Sequence, residues 1–225
     1  MTSMTRLLVT AFLLAATPLV ASANSGTTAS TAQDLMTDLP EANDRSTLQL
    51  IGRIEAPEGY DSISKSSSLS TPKPLTQMTL QEVLDFQRLM LRKGASSTAI
   101  GRYQFIRGTL AGMIKLHDLD RNALFDRTMQ DNLARLIMED CGFYDEDVSD
   151  TKVGNCLART WAALPVLSGK KRGKSYYHGQ GGNRARVSAN VVLAALDDRF
   201  LIEEENLRLE PGAKQKPVNR ASPAL

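Results

Sequence analysis

The chain has 225 residues, with 27 Lys and Arg against 25 Asp and Glu and only two histidines. A formal charge of +2 is too small to coat the surface for a polyphosphate, which argues against nucleic acid as the main partner. His117 and His178 lack the close spacing of common zinc sites, so no metal and no cofactor is expected.

Arg6 precedes an apolar run from Leu7 to Val20, which gives way to Ala21-Ser22-Ala23. One cation, a short apolar core and small residues after it make a cleavable signal peptide, and the core is shorter than the roughly 20 residues a spanning helix needs. Cleavage after Ala23 leaves 202 of the 225 residues, enough for one domain with its own core. No second long apolar run follows, so export to the periplasm with no membrane span after cleavage is the expectation.

Residues 24–45 are rich in Ser, Thr, Ala, Asn and Asp with few large apolar side chains. Such a segment cannot offset the entropy of ordering and reads as a tether. The domain is expected over 46–197, with a charged tail over 198–225 that carries Glu203-Glu204-Glu205 and then Pro211, Pro217 and Pro223. The length and composition of the two ends suggest delivery to a larger envelope assembly, such as a secretion or flagellar machine.

Inside the domain the punctuation is helical. Ser46-Thr47-Leu48-Gln49 is a capping-box pattern followed by apolar Leu48, Ile51 and Ile54, and Pro57 disfavours helix at Ala56, so the first helix should end almost at Glu55. The stretch from Tyr60 to Gln77, rich in Ser, Lys and Pro, is the place for a small sheet or hairpin. Thr79-Leu80-Gln81-Glu82 is a second capping box, with Met78 and Val83 placed as a hydrophobic staple and Gly94 as the stop. Further helices are expected at about Thr109 to His117, from Asp126 to Gly142, at about Val153 to Leu164 with Pro165 as the stop, and from Ser188 to Leu196.

Cys141 and Cys156 lie in a chain expected in an oxidising compartment. Either they pair, closing a loop worth about 3 kcal/mol in the chain-entropy model, or they are two buried thiols.

Glu55 stands at the end of the first helix, beside Ile54 and below the Pro57-Glu58-Gly59 break. The negative end of the helix dipole and apolar neighbours both favour its neutral form and raise its pKa. A carboxylic acid still protonated near neutral pH is what cleavage of a glycosidic bond requires. A hydrolase would add a second carboxylate about 5 to 9 Å away. Asp61, with Glu58 behind it, is the candidate, although an Asp after a Pro-Gly turn also reads as a loop cap.

The motifs Leu50-Ile51-Gly52-Arg53-Ile54-Glu55, Gly59-Tyr60-Asp61 and Ser96-Ser97-Thr98-Ala99-Ile100-Gly101-Arg102-Tyr103-Gln104 resemble the phage lambda endolysin family and its exported bacterial relatives. Phe125-Asp126, Gln130-Asp131, Trp161-Ala162-Ala163-Leu164-Pro165 and Ser175-Tyr176-Tyr177-His178-Gly179 continue the likeness, which spans roughly residues 48–197. The resemblance implies an α+β, mostly α, lysozyme-like fold with a small β element. It also implies cleavage of the β-1,4 bond between N-acetylmuramic acid and N-acetylglucosamine in peptidoglycan, by a lytic transglycosylase or muramidase, with Glu55 as the catalytic acid and base. Tyr60, Asp61, Tyr103, Gln104, Tyr176 and Tyr177 are the candidate substrate-binding residues. Tyr103 can equally pack in the core, and Gln104 can equally cap a helix. The serine-rich segment Ser62 to Ser70 departs from the glycine- and asparagine-richer turn expected of relatives.

Lys170, Lys171, Arg172, Lys174, Arg184 and Arg186 surround a glycine-rich loop, either as a basic rim for an anionic polymer or as a solvated surface. Two Ser-x-x-Lys matches, at Ser62 and Ser70, lack the partner motifs of a serine acyl enzyme. The Gly179 to Gly182 run lacks the strand and the Lys of a phosphate loop. The rival from another class is a noncatalytic peptidoglycan-binding or envelope-assembly protein of the same fold.

Overall fold

The computed structural model describes residues 43–200. The expected signal peptide and most of the expected tether and tail lie outside the described residues. The architecture is mostly helical: α1 (Arg45–Glu55), α2 (Leu80–Arg92), α3 (Arg107–Leu116), α4 (Arg127–Asp140), α5 (Asp150–Thr160) and α6 (Ala189–Asp197), with single 3-10 turns at Leu75–Gln77, Gly169–Lys171 and Asp198–Phe200. Helix α6 packs against α1 and α5, α2 against α3, and α4 against α5. Phe125, Phe143, Leu133 and Leu157 are fully enclosed, each contributing roughly 1.5–3 kcal/mol by leaving water. Among the described residues, no helix is long and apolar enough to cross a membrane.

The second capping box forms as the sequence predicts. The Thr79 side chain accepts the Glu82 N–H, and the Glu82 carboxylate accepts the Thr79 N–H at 2.8 Å. Asp126 caps α4 by accepting from Met129 N–H at 2.8 Å, and Ser188 caps α6. The first capping box does not form. Helix α1 starts at Arg45 behind Asp44, and the Ser46 hydroxyl donates to Asp198 at 3.1 Å. Asp44 instead takes the Arg135 guanidinium at 2.6 Å and the Tyr144 hydroxyl at 3.2 Å, so residues from α4 and beyond it set this helix end.

Both expected domain edges move outward. Asn43 N–H bonds to the Arg199 carbonyl at 2.7 Å, which puts Asn43 to Arg45 inside the domain rather than in a tether. Arg199 is buried, paired with Asp150 at 2.7 Å and bonded to the carbonyls of Phe143 and Val148, so the fold runs through Phe200 rather than stopping at residue 197. Helix α5 is also displaced from its expected span of Val153 to Leu164. It starts behind Ser149 and stops at Thr160, because Trp161 turns extended (φ −106°, ψ 102°) while its N–H still reaches the Leu157 carbonyl.

Among the described residues, the expected small sheet is reduced to isolated bridges. Ile63 pairs with Ile100, and Ile100 with Phe105, both antiparallel. This three-segment rudiment sits below the loop that carries Gly101 to Gln104. Gly101 has φ +73°, and a side chain there would collide with buried Gln130. Gln130 accepts the Arg102 N–H at 2.9 Å and donates to the carbonyls of Phe125 and Tyr60. One α4 side chain therefore fixes both the Gly-Arg-Tyr-Gln loop and the loop after α1.

Candidate functional site

Glu55 ends α1 and is partly buried. Its carboxylate accepts one backbone N–H, from Ala163 at 3.3 Å. Burial raises its pKa, and the Ala163 N–H and the positive charge of Arg186 only partly counter this. Arg186 is tied to the same place twice. Its N–H donates to the Ala163 carbonyl at 2.8 Å, and its guanidinium donates to the Ile54 carbonyl at 2.6 Å, satisfying a carbonyl that the end of α1 leaves open. The 161–165 turn behind Ala163 is pinned by the Trp161 indole N–H, which donates to the Tyr103 carbonyl at 3.0 Å. The acid is thus held by a short polar set on an apolar base.

Next to this set opens a groove of about 830 Å³, within the size range of small-molecule and oligomer sites. Its lining combines apolar Phe105, Ile106, Met113 and Ile137 with Gln104, Arg159, Ala162, Tyr177 and Asn183. Glu55 is not itself a lining side chain. It bonds to Ala163, one residue from the groove wall at Ala162. Gln104 holds φ +49°, a conformation that costs a non-glycine residue about 1–2 kcal/mol, and its side-chain amide donates back to the Gly101 carbonyl at 2.9 Å. That bond leaves its side-chain oxygen as an acceptor for a ligand. Asp140 at the end of α4 is a carboxylate lining the groove.

The expected site residues divide. Tyr103, Gln104 and Tyr177 line the groove. Tyr103 is nevertheless a core residue, 1% exposed, with its hydroxyl donating to Asp131 at 2.7 Å. Asp131 also accepts the Tyr60 hydroxyl at 2.9 Å. Burial and this acceptor raise the pKa of both tyrosines. Tyr60 does not line this groove. It lies under the guanidinium groups of Arg102 and Arg127 and faces a second, polar groove of about 520 Å³ with Asp44, Asp131 and Arg135. Asp61 is exposed and accepts the Thr76 N–H at 2.8 Å, which makes it the cap of the loop, and Glu58 pairs with Lys65 in solvent at 3.6 Å. Tyr176 stands outside the groove lining, edge-on to Tyr177 with ring centroids 5.1 Å apart. The Tyr177 hydroxyl donates to the Arg159 carbonyl at 2.6 Å, so it orients the loop rather than Glu55.

Cys141 and Cys156 form a disulfide with Cα atoms 5.5 Å apart. Both line the groove, so the bridge ties the end of α4 to α5 in its wall. Sequence reasoning did not find Ala163 as the donor to Glu55, Arg186 as the cation beside it, or Trp161 as the pin of the turn behind Ala163. The only signal for them was the Trp-Ala-Ala-Leu-Pro run and an Arg 131 positions from Glu55 in the chain. Among the described residues, no group of three or more His, Cys, Asp or Glu side chains could hold a metal ion.

No family model matches the chain, and no curated protein or solved structure matches it either. Fold and site together define a mostly helical domain with a partly buried acid at a helix end, near a groove of about 830 Å³.

Proposed function

We propose that this protein is an exported enzyme with a lysozyme-like fold that cleaves the glycan strands of peptidoglycan. The observation that carries this reading is Glu55, a partly buried carboxyl at a helix C-terminus whose pKa burial raises, bonded to Ala163 next to a groove lined by both apolar and polar side chains. An acid that holds its proton more tightly than an ordinary carboxyl is better suited to deliver it to a glycosidic oxygen. Gln104 and Tyr177 supply polar and aromatic surface for sugar rings and their acetamido groups. The disulfide fits an oxidising compartment and so supports export.

Because Asp61 is engaged with the Thr76 N–H and does not line the groove, the single-acid route is favoured over a hydrolysis that pairs Glu55 with Asp61. Glu55 protonates the leaving oxygen as the bond from C1 of the muramic acid breaks. The resulting carboxylate then takes the proton of that sugar's 6-hydroxyl as its oxygen bonds to C1, which closes a 1,6-anhydro ring without water.

The test is digestion of purified sacculi by the secreted form that lacks residues 1–23, with the released muropeptides read by mass spectrometry. Wild type should release products one water lighter than reducing-end muropeptides. The Glu55→Gln variant should lose release by about 10²–10⁴-fold while still sedimenting with sacculi. Full-mass reducing ends would replace the transglycosylase step by hydrolysis, and no release by wild type would leave a noncatalytic wall-binding protein.

A further inference from the structure

Charge is segregated along this chain. Between Asp150 and Asp197 there is no acidic residue but there are eight Lys and Arg, leaving 25 acidic and 19 basic residues for the rest. This stretch contributes Arg159, Tyr177 and Asn183 to the groove lining. The Arg159 guanidinium and the Lys171 ammonium sit 5.6 and 5.2 Å from the ring centroid of Tyr176, which is 38% exposed. Among the described residues, none of Arg159, Lys170, Lys171, Lys174 and Arg184 is within ion-pair distance of a carboxylate, although ion pairs form at Lys65, Lys73, Arg88, Arg135 and Arg199. Neighbouring cations without counter-charges repel one another, and an anionic ligand relieves that repulsion.

From this we propose that the Gly169–Arg184 loop and Arg159 form a subsite for the carboxylates of peptidoglycan stem peptides, so that the protein prefers strands still carrying their stems. The inference rests on the reading of the groove as a glycan site, and it names what the cations beside Arg159 and Tyr176 would hold. The sugar chain is held by polar and stacking contacts in the groove, while the stems are the part of the polymer that ends in free carboxylates. A nucleic acid would need cations along its whole path, and Phe105, Ile106 and Met113 in the groove lining are apolar. The aromatic pair keeps the cations in place. Tyr177 is anchored to the Arg159 carbonyl, Tyr176 packs edge-on against it, and Lys171 donates to the Tyr176 carbonyl at 3.1 Å.

The test compares wild type with a triple variant, Lys171→Gln, Lys174→Gln and Arg184→Gln, none of which touches Glu55. Two substrates are used: intact sacculi, and the same strands stripped of their stems by an amidase. Release and sedimentation are both measured. With intact sacculi the variant should lose about tenfold in each, since an exposed ion pair is worth up to a few-fold and three are removed. With stripped strands it should match wild type, and the difference on sacculi should shrink at high salt. Equal losses on both substrates, or no loss on either, would overturn the proposal, as would equal retention of wild type by anionic vesicles or duplex DNA. Failure of the enzymatic reading would look different: wild type would release nothing from either substrate, while sedimentation would still report on the subsite.

Discussion

Replacing Glu55 by Gln should make the protein more stable and inactive at the same time. The Gln side-chain oxygen can still accept the Ala163 N–H, but the residue no longer places a negative charge in a partly buried site. Burial is the largest influence on Glu55 and raises its pKa above the ordinary value of 4.5. The folded protein therefore holds this proton more tightly than the unfolded chain. Wild-type stability from this group is complete below the unfolded pKa, falls as the pH rises toward the folded pKa, and is flat beyond it. Each unit of upward shift costs the folded state about 1.4 kcal/mol at neutral pH, equivalent to about 3–5 °C in Tm for a domain of this size. Thermal unfolding of both proteins from pH 3 to 8 should give matching Tm values at the acid end. From about pH 4.5 upward the variant should gain progressively, then hold a constant lead. The expected loss of activity is about 10²–10⁴-fold, or about 3–5 kcal/mol of barrier. A Tm difference that does not change with pH, or a wild type that is the more stable at neutral pH, would refute the upward direction that burial gives the Glu55 pKa.

Removing the disulfide as Cys141→Ala with Cys156→Ala opens a loop of 15 residues, which should lower stability by about 3 kcal/mol and Tm by roughly 6–12 °C; unchanged calorimetric melting would contradict it. Arg186→Gln removes the positive charge that lowers the Glu55 pKa. The alkaline limb of the activity profile should then move to higher pH, because the protonated acid persists further, and a pH–rate series showing a shift to lower pH would overturn the assigned sign.

The helices were legible in the sequence wherever their start and stop signals are local. The Thr79 box, the Asp126 and Ser188 caps and the glycine at 94 act through bonds and dihedral preferences a few residues long, and Pro57 placed Glu55 at the end of α1 for the same reason. Signals competing with distant partners were not legible. Ser46 and Asp44 have local capping chemistry, yet Asp198 and Arg135 claim them. Trp161 looks like a continuation of α5 until its indole finds the Tyr103 carbonyl. The sheet expected between Tyr60 and Gln77 shrank to bridges because that loop is fixed mainly by side chains, through Asp61 to Thr76 and Gln130 to Tyr60.

By itself, then, the sequence determined a mostly helical domain, the position of an acid at a helix end, and the clustering of positive charge after Asp150. It took the folded chain to bring the Ala163 N–H onto that acid and Arg186 onto the Ile54 carbonyl beside it, to give Asp61 to the loop and Tyr60 to a different groove, and to join the two cysteines in the groove wall. The division is physical: helix ends and charge composition follow from near neighbours along the chain, whereas the surroundings of a carboxylate are made by segments more than a hundred residues apart that come together only when the core closes.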